Sequence, residues 1–166
     1  MVNSKNKGNT AERKLASILQ SYIGGSFQRV PSSGSFIGGK NASRKQFLSE
    51  TQIRASKSDI IPPDEYSRLV IECKSYKDFS YSAFATSQDI PLLDKWLSEL
   101  EYDCDDDDIG ILCFKTNNKK WSIAMNVSYK DHFKLSIFSM YKLYFVTGLE
   151  TFLTDNKESF IQLIKE

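Results

Sequence analysis

Apolar residues recur at helical spacing in three parts of the chain. This periodicity predicts helices over residues 10–23, 87–100 and 157–165. Thr10 is the predicted N-cap of the first helix, because its hydroxyl can accept from the free N–H groups of the first turn. In the second helix Pro91 fits only near the start, where its missing N–H costs no hydrogen bond.

Short runs of β-branched and aromatic residues lie between the helices. They predict strands at residues 27–30, 58–61, 68–74, 109–114 and 121–127, with a further strand within 136–145. The turn 62–67 predicts a hairpin between its flanking strands, and 115–120 predicts a second hairpin. The order α, β, β, β, α, β, β, α indicates a mixed sheet with helices packed on it, in an α/β or an α+β fold.

One long segment carries no sustained period. Residues 32–57 combine Gly, Ser and five positive charges, and loops of this length are usually functional or disordered. We predict a long basic loop at about residues 34–57 that is mobile in the absence of a partner. With 166 residues the chain has the length of one domain, so residues 1–166 are predicted to form a single domain.

Charge is distributed unevenly along the sequence although the net charge is only +1. Residues 1–57 hold ten Lys and Arg against two Glu, a balance of +8, which leaves −7 for the remainder. Such asymmetry indicates one face that attracts polyanions, although a basic N-terminal segment can also serve solubility alone. The acidic run at 99–108 lacks the spacing and the glycine of an EF-hand, so we interpret it as a solvated loop.

Composition excludes several classes of protein. No apolar stretch is long enough for a membrane span or has the layout of a signal peptide, so we expect a cytoplasmic protein. Cys73, Cys104 and Cys113 lack the paired spacing of a zinc site and are expected to be reduced. His132 is the only histidine, which argues against a histidine-based triad or a multi-histidine metal site.

The informative cluster is Asp59 on one predicted strand of the first hairpin and Glu72 and Lys74 on the other. Because side chains alternate along a strand, Glu72 and Lys74 share one face, while Cys73 points to the other and packs. Two carboxylates suit Mg²⁺, which prefers oxygen ligands, and a nearby lysine can act on the attacking water and the phosphate in phosphodiester hydrolysis. The alternative is a cross-strand ion pair on an exposed sheet face.

Four blocks in the first half of the chain resemble a known family. Residues 8–13 (GNTAER), 27–35 (FQRVPSSGS), 58–61 (SDII) and 70–74 (VIECK) are similar, in this order, to the archaeal Holliday junction resolvases and their phage relatives. These proteins belong to the PD-(D/E)xK nuclease superfamily. The resemblance implies a restriction-endonuclease-like α/β fold with a central mixed sheet flanked by helices. The sequence departs from the motif at Ser58, which stands in place of its proline, and in the length of the loop before Asp59.

The resemblance also implies roles for individual residues. Asp59 and Glu72, together with the backbone carbonyl of Cys73, would hold a divalent metal, Mg²⁺, for which Mn²⁺ could substitute. Lys74 would act on water and phosphate, and Glu12 would approach the metal directly or through water. Arg13 and Arg29 match basic positions of the family, and Ser33 matches a loop serine near the scissile phosphate. The complete set of predicted DNA-binding residues is Lys7, Arg13, Arg29, Ser33, Lys40, Arg44, Lys45 and Lys57.

The resulting prediction is a Mg²⁺-dependent DNA endonuclease that resolves Holliday junctions or other branched DNA as a homodimer in the cytoplasm, or in the host cytoplasm if the protein comes from a phage. An aromatic-rich C-terminal region could supply the dimer interface; it contains Phe138, Tyr141, Tyr144, Phe145, Phe152 and Phe160. Two alternatives remain open. The chain could be a nuclease of the same superfamily that acts on other DNA in repair or restriction, or a non-catalytic DNA-binding module.

Overall fold

The computed structural model describes residues 4–30, 46, 57–86, 88–117 and 119–165. Helix α1 spans Ser4–Ile23 and buries an apolar face that includes Leu15 and Leu19. The helix begins six residues before the predicted N-cap Thr10, so that prediction is wrong. The physical reason is that residues 4–10 are polar or glycine, so the apolar periodicity from which the helix was predicted begins only at Ala11.

Two short strands follow α1. Strand β1 is Gln28–Arg29 and strand β2 is Ile60–Ile61, and the two pair antiparallel. A 3-10 helix at Asp64–Tyr66 separates β2 from the next strand. The predicted hairpin between residues 58–61 and 68–74 is therefore wrong, because β2 forms its strand pairing with β1.

Among the described residues, the main sheet has five strands: β3 (Leu69–Tyr76), β4 (Ile109–Thr116), β5 (Ser122–Asn126), β6 (Ser139–Tyr141) and β7 (Tyr144–Gly148). Their order across the sheet is β3, β4, β5, β7, β6. Strands β3 and β4 are parallel and every other neighbouring pair is antiparallel. The β4–β5 pairing confirms the predicted second hairpin.

Two further helices pack on the sheet. Helix α2 is Pro91–Asp103, with Pro91 at its start as predicted, and helix α3 is Leu149–Lys165. Helix α3 begins eight residues earlier than the sequence pattern predicted. The polar run before residue 157 interrupts the apolar periodicity, so the first part of the helix was not predicted. In this run Asn156 departs from helical geometry and forms hydrogen bonds with the backbone of Lys134.

The helices cover both faces of the sheet. Alternation along β3 sends Leu69, Ile71 and Cys73 into one core with α1 and α3, and sends Val70 into a second core with α2. Both tryptophans are buried, Trp96 in the second core and Trp121 in the first. This arrangement is an α/β fold with a mixed sheet flanked by helices, consistent with the restriction-endonuclease-like fold.

The C-terminal aromatic residues belong to these cores. Phe145, Phe152 and Phe160 are at most 2% exposed, and Tyr141 and Tyr144 are 6% exposed. Phe138 is partly buried against the first core. The interpretation of this region as a dimer interface is therefore wrong, because the folded chain already covers these rings.

The described part of the chain has no helix that combines the length and the apolar character required to cross a bilayer. All three cysteines are free, as expected, and Cys73 and Cys113 are buried. His132 lies exposed at the end of a 3-10 helix, Val127–His132.

Candidate active site

The outer edge of β3 is joined to the segment immediately before β2. The buried hydroxyl of Ser58 accepts a hydrogen bond from the Ile71 N–H at 2.7 Å and lies 2.9 Å from the Ile71 carbonyl oxygen. The Asp59 N–H donates to the same carbonyl at 3.0 Å. These bonds hold Asp59 beside the middle of the strand that carries Glu72 and Lys74.

The Asp59 carboxylate turns toward the backbone of β3. Its Oδ2 accepts a hydrogen bond from the Cys73 N–H at 2.9 Å. Because the N–H and C=O of a strand residue point to the same side, the Cys73 carbonyl also faces this edge. The Cys73 side chain itself packs in the core with α1 and α3. The backbone of Cys73 and the carboxylate of Asp59 thus share one side of β3.

Glu72 is the buried acid of the site, with 9% of its side chain exposed. Burial raises the pKa of Glu72 to about 8, and the negative charge of Asp59 adds to the rise, while Lys74 opposes it. The Asp59 carboxylate thus lies close enough to Glu72 to disfavour the ionisation of Glu72. A bound cation would favour the ionised form of Glu72.

Lys74 contacts two carboxylates. Its ammonium lies against Glu72 and, at 2.8 Å, against Glu99 of helix α2. Burial alone would lower the pKa of Lys74, but Glu72 and Glu99 raise it well above its usual range. Lys74 is therefore a fixed positive charge at neutral pH.

Glu12 approaches the same region from helix α1. It forms an ion pair with Arg29, whose guanidinium also reaches Asn9. Burial and then the charge of Asp59 raise the pKa of Glu12, against the opposing effects of Arg29 and Lys74. The structure thus brings two of the predicted residues, Glu12 and Glu72, each within electrostatic range of Asp59 and Lys74.

The donor set fits a divalent cation of the magnesium type. Within the part of the chain that the structure describes, no group of three or more His, Cys, Asp or Glu side chains is arranged to hold a metal. The site instead offers two carboxylates and one backbone carbonyl. Mg²⁺ commonly binds through one or two carboxylates, retains several waters and takes its other ligands from phosphate. The repulsion between Asp59 and Glu72 gives such an ion an electrostatic reason to bind.

The predicted DNA-binding residues have different locations. Arg13 is exposed on α1, next to Glu12, and Arg29 is engaged with Glu12. Ser33, Lys40, Arg44 and Lys45 lie outside the described residues, and so does the predicted mobile loop, apart from Gln46 and Lys57. Lys7 lies within α1, but its side chain is not described.

Lys57 occupies a cluster with the acidic run. Its side chain is 8% exposed and its ammonium contacts Asp105 and, at 3.3 Å, the equally buried Asp108. These aspartates raise the pKa of Lys57 although burial alone would lower it. The structure therefore places this predicted DNA-binding lysine in an ion pair two residues before Asp59. It also gives part of the run at 99–108 an internal role in addition to solvation.

Sequence reasoning missed two residues of the site. Glu99 contacts Lys74 from α2, and Asn9 contacts Arg29 from α1. Glu99 follows Trp96 of the apolar helix face by three residues, a spacing that places the two side chains on one side of the helix. Asn9 lies three residues before Glu12, a spacing that places two side chains on one helical face.

Comparison with known proteins supports a nuclease. A family model described as "Phage putative PDDEXK endonuclease" matches residues 3–163, nearly the whole chain. Comparisons with curated proteins and with solved structures gave no match. The family match covers β3, which carries Glu72 and Lys74, and the segment before β2 that carries Asp59. The chain therefore belongs to the phage PDDEXK endonuclease family.

Proposed function

We propose that the protein is a Mg²⁺-dependent endonuclease that hydrolyses phosphodiester bonds in DNA. The observation that carries the proposal is the convergence of Asp59, Glu72 and Lys74 at one edge of β3, with Asp59 bonded to the backbone of Cys73. A protein that only bound DNA would gain nothing from clustered carboxylates beside a phosphate, because like charges repel. A divalent ion makes the same carboxylates useful.

Each residue has a distinct task in this proposal. Asp59, Glu72 and the Cys73 carbonyl would hold the ion, which polarises the phosphoryl oxygen and lowers the pKa of a bound water. Lys74 keeps its proton at neutral pH, so it donates hydrogen bonds to the attacking water and to the phosphate oxygens. The Glu12 carboxylate on helix α1 would contact the same attacking water, and its ion pair with Arg29 holds it in place.

Substrate binding requires Lys74 to exchange a partner. Its ammonium is occupied by Glu72 and Glu99 in the protein alone. As a metal ligand, Glu72 would pair less strongly with Lys74, and an incoming phosphate would then compete with Glu99, which is partly exposed. Glu99 is thus the partner that DNA displaces, and it keeps the lysine in position until then.

For the substrate we propose branched DNA, cut by a homodimer in the host cytoplasm. The support for junctions is the resemblance of the four sequence blocks to Holliday junction resolvases. The C-terminal aromatic residues are covered within the folded chain and give no support to a dimer. Exposed apolar side chains do remain beside the edge strand β6, namely Ile137, Met140 and Leu143.

A cleavage assay tests the proposal. The purified protein is incubated with a four-way junction, a linear duplex and a single strand of matched sequence, with Mg²⁺, with Mn²⁺ and with a chelator. Asp59→Asn serves as the inactive reference, and light scattering gives the mass in solution. Metal-dependent cleavage with preference for the junction, by a dimer, is the expected result.

Each other outcome has a definite meaning. If the duplex or the single strand is cleaved as well as the junction or better, the proposal of a branched substrate is overturned, and the proposal of a nuclease that acts on ordinary DNA stands. A monomeric mass overturns the homodimer. Binding of DNA without cleavage under any metal condition overturns the enzyme and leaves a DNA-binding module.

A further inference from the structure

Lysines gather where β3 and β4 end. The parallel register pairs Tyr76 with Thr116, so both strands end side by side. The Asn117 N–H donates to the Tyr76 carbonyl at 3.1 Å, and the Lys119 N–H donates to the Thr116 carbonyl at 3.2 Å. These bonds attach the connection between β4 and β5 to the strand that carries Lys74.

Four lysines form what we call the strand-end lysine surface: Lys77, Lys115, Lys119 and Lys120. Lys77, Lys119 and Lys120 are exposed, while Lys115 is partly buried over the ring of Trp121 at 5.6 Å. Within the described ranges, none of the four forms an ion pair with a carboxylate. Asp78 is the single acid in residues 75–78 and 115–121, so this surface keeps a strong positive charge.

Three cations nearer the site differ in this respect. Arg29 contacts Glu12, Lys57 contacts two aspartates, and Lys74 contacts two glutamates. Each of these must lose a carboxylate before it can bind a phosphate. The strand-end lysines need no such exchange, and they are therefore better placed to supply affinity than the lysine that acts in the chemistry.

Distance also suits contact with the backbone of the cleaved DNA. Lys77 follows Lys74 by three residues, which corresponds to roughly 10 Å along an extended strand. One strand of duplex DNA carries a phosphate about every 3.4 Å along the helix axis. The strand-end surface would therefore meet phosphates a few nucleotides from the one that Lys74 contacts.

We propose that the strand-end lysine surface binds the DNA backbone on one side of the scissile phosphate. This assignment rests on the proposed function, and it adds to the basic first third of the chain a second contact region from its middle. Its contribution is independent of base sequence, because phosphates carry no sequence information. It positions the DNA strand across β3 so that the scissile phosphate lies at Lys74.

The experiment compares two double variants in the full chain. Lys119→Gln with Lys120→Gln removes two exposed charges of the surface, and Lys134→Gln with Lys157→Gln removes two exposed charges elsewhere. Binding of a fluorescent duplex is measured by anisotropy without Mg²⁺, so that no cleavage occurs, over a range of salt concentrations. Thermal melts confirm that both variants fold, and Lys119→Gln alone replaces the double variant if it does not.

The expected result is a weaker salt dependence for the surface variant. The slope of log K against log salt should become less steep by about 1.8, or about 0.9 for each lost phosphate contact, and the control should keep the parent slope. A slope equal to that of the parent overturns the assignment. Binding that depends on these lysines without cleavage in Mg²⁺ would overturn the nuclease and keep the surface, whereas a parent that binds no DNA overturns both.

Discussion

The Cys73 backbone N–H donates a hydrogen bond to the Asp59 carboxylate across the edge of β3, at 2.9 Å. An acid that lies fourteen residues earlier in the chain is thereby tied to the centre of the E-C-K triplet. Because the donor is a backbone group, Asp59 holds its place whatever side chain packs at position 73. The side chain at position 73 can therefore be changed without loss of this contact.

The first prediction concerns these carboxylates. Asp59→Asn keeps an oxygen that can accept from Cys73, and Glu72→Gln keeps the shape of the buried side chain, but each removes the negative charge that a cation needs. Both variants should lose cleavage while binding DNA as well as the parent or better, since repulsion of phosphate falls. Single-turnover cleavage and anisotropy measure the two effects separately.

The control for this pair is Asp64→Asn, an exposed aspartate in the 3-10 helix after β2. It should cleave at the parent rate. Near-parent cleavage by Asp59→Asn or Glu72→Gln would refute the site.

The second prediction concerns Lys74. Lys74→Ala should lower the rate of the chemical step by about 10²–10³, the scale for the loss of one transition-state donor, with little change in metal affinity. The matched variant is Lys95→Ala, because Lys95 also lies near Glu99, at 3.9 Å, but faces solvent. It should leave the rate unchanged. A loss of DNA affinity without a slower chemical step would make Lys74 a binding residue only.

The third prediction concerns the pH dependence of stability without metal. The pKa of Glu72 is 4.5 when unfolded and about 8 when folded, so the unfolded chain gives up this proton more easily. Stability contributed by Glu72 is therefore fully present below pH 4.5 and is lost as the pH rises through 8. Glu12 acts in the same direction, because its pKa is also raised.

Thermal melts in the presence of a chelator check this effect. The Tm of the parent should fall between pH 5 and pH 8.5, and Glu72→Gln should fall less. Mg²⁺ should raise the parent Tm most at the alkaline end, where Glu72 is ionised, because binding then displaces no proton. Equal pH profiles for the parent and Glu72→Gln would show that Glu72 is not the responsible group.

The fourth prediction concerns the ion pair of Lys57. Lys57→Met leaves Asp108 buried without its partner, and loss of one member of a buried pair costs about 3 kcal/mol or more. Urea unfolding should show this loss. Replacing Lys57 and Asp108 together by apolar residues should recover most of it. If Lys57→Met were as stable as the parent but bound DNA less tightly, Lys57 would belong to the DNA surface instead.

Much of the fold could be predicted from the sequence. Alternation along β3 correctly separated Glu72 and Lys74 from Leu69 and Cys73, and the β4–β5 hairpin was correct. The predicted boundaries of α1 and α3 were wrong, because both helices include polar residues, such as Asn9 and Asn156, that contact distant segments, and α3 departs from helical geometry at Asn156. Local propensity contains no information about such contacts.

The candidate site shows the same limit. Asp59, Glu72 and Lys74 could be found from spacing and resemblance, since they lie on neighbouring segments. The pairing of Lys74 with Glu99 depends on how α2 packs on the sheet, and the pairing of Lys57 with Asp108 joins positions 51 residues apart. The C-terminal aromatic residues were assigned to an interface because composition alone does not reveal which face of an element is covered.

The fifth prediction addresses the long basic loop. Replacing residues 38–54 by a short Gly/Ser linker should preserve the fold and the metal-dependent rise in Tm, because both depend on residues outside that span. It should weaken DNA binding and reduce the preference for branched over linear DNA, since several positive charges are lost. Junction and duplex affinities at one salt concentration test this. If both are unchanged, the loop plays no part in substrate choice.

The parallel pairing of β3 and β4 also separates charge in space. Asp105 and Asp108 lie just before β4, whose first residue Ile109 pairs with Leu69, and the strand-end lysines lie where both strands finish. Within the part of the chain that the structure describes, negative and positive charge thus lie at opposite ends of these strands, as in an electric dipole, although the net charge of the chain is only +1. The electric field of a polyanion would rotate the protein before contact so that the lysines face the polyanion. This orientation raises the fraction of productive encounters. Low ionic strength should therefore accelerate association more than the net charge implies.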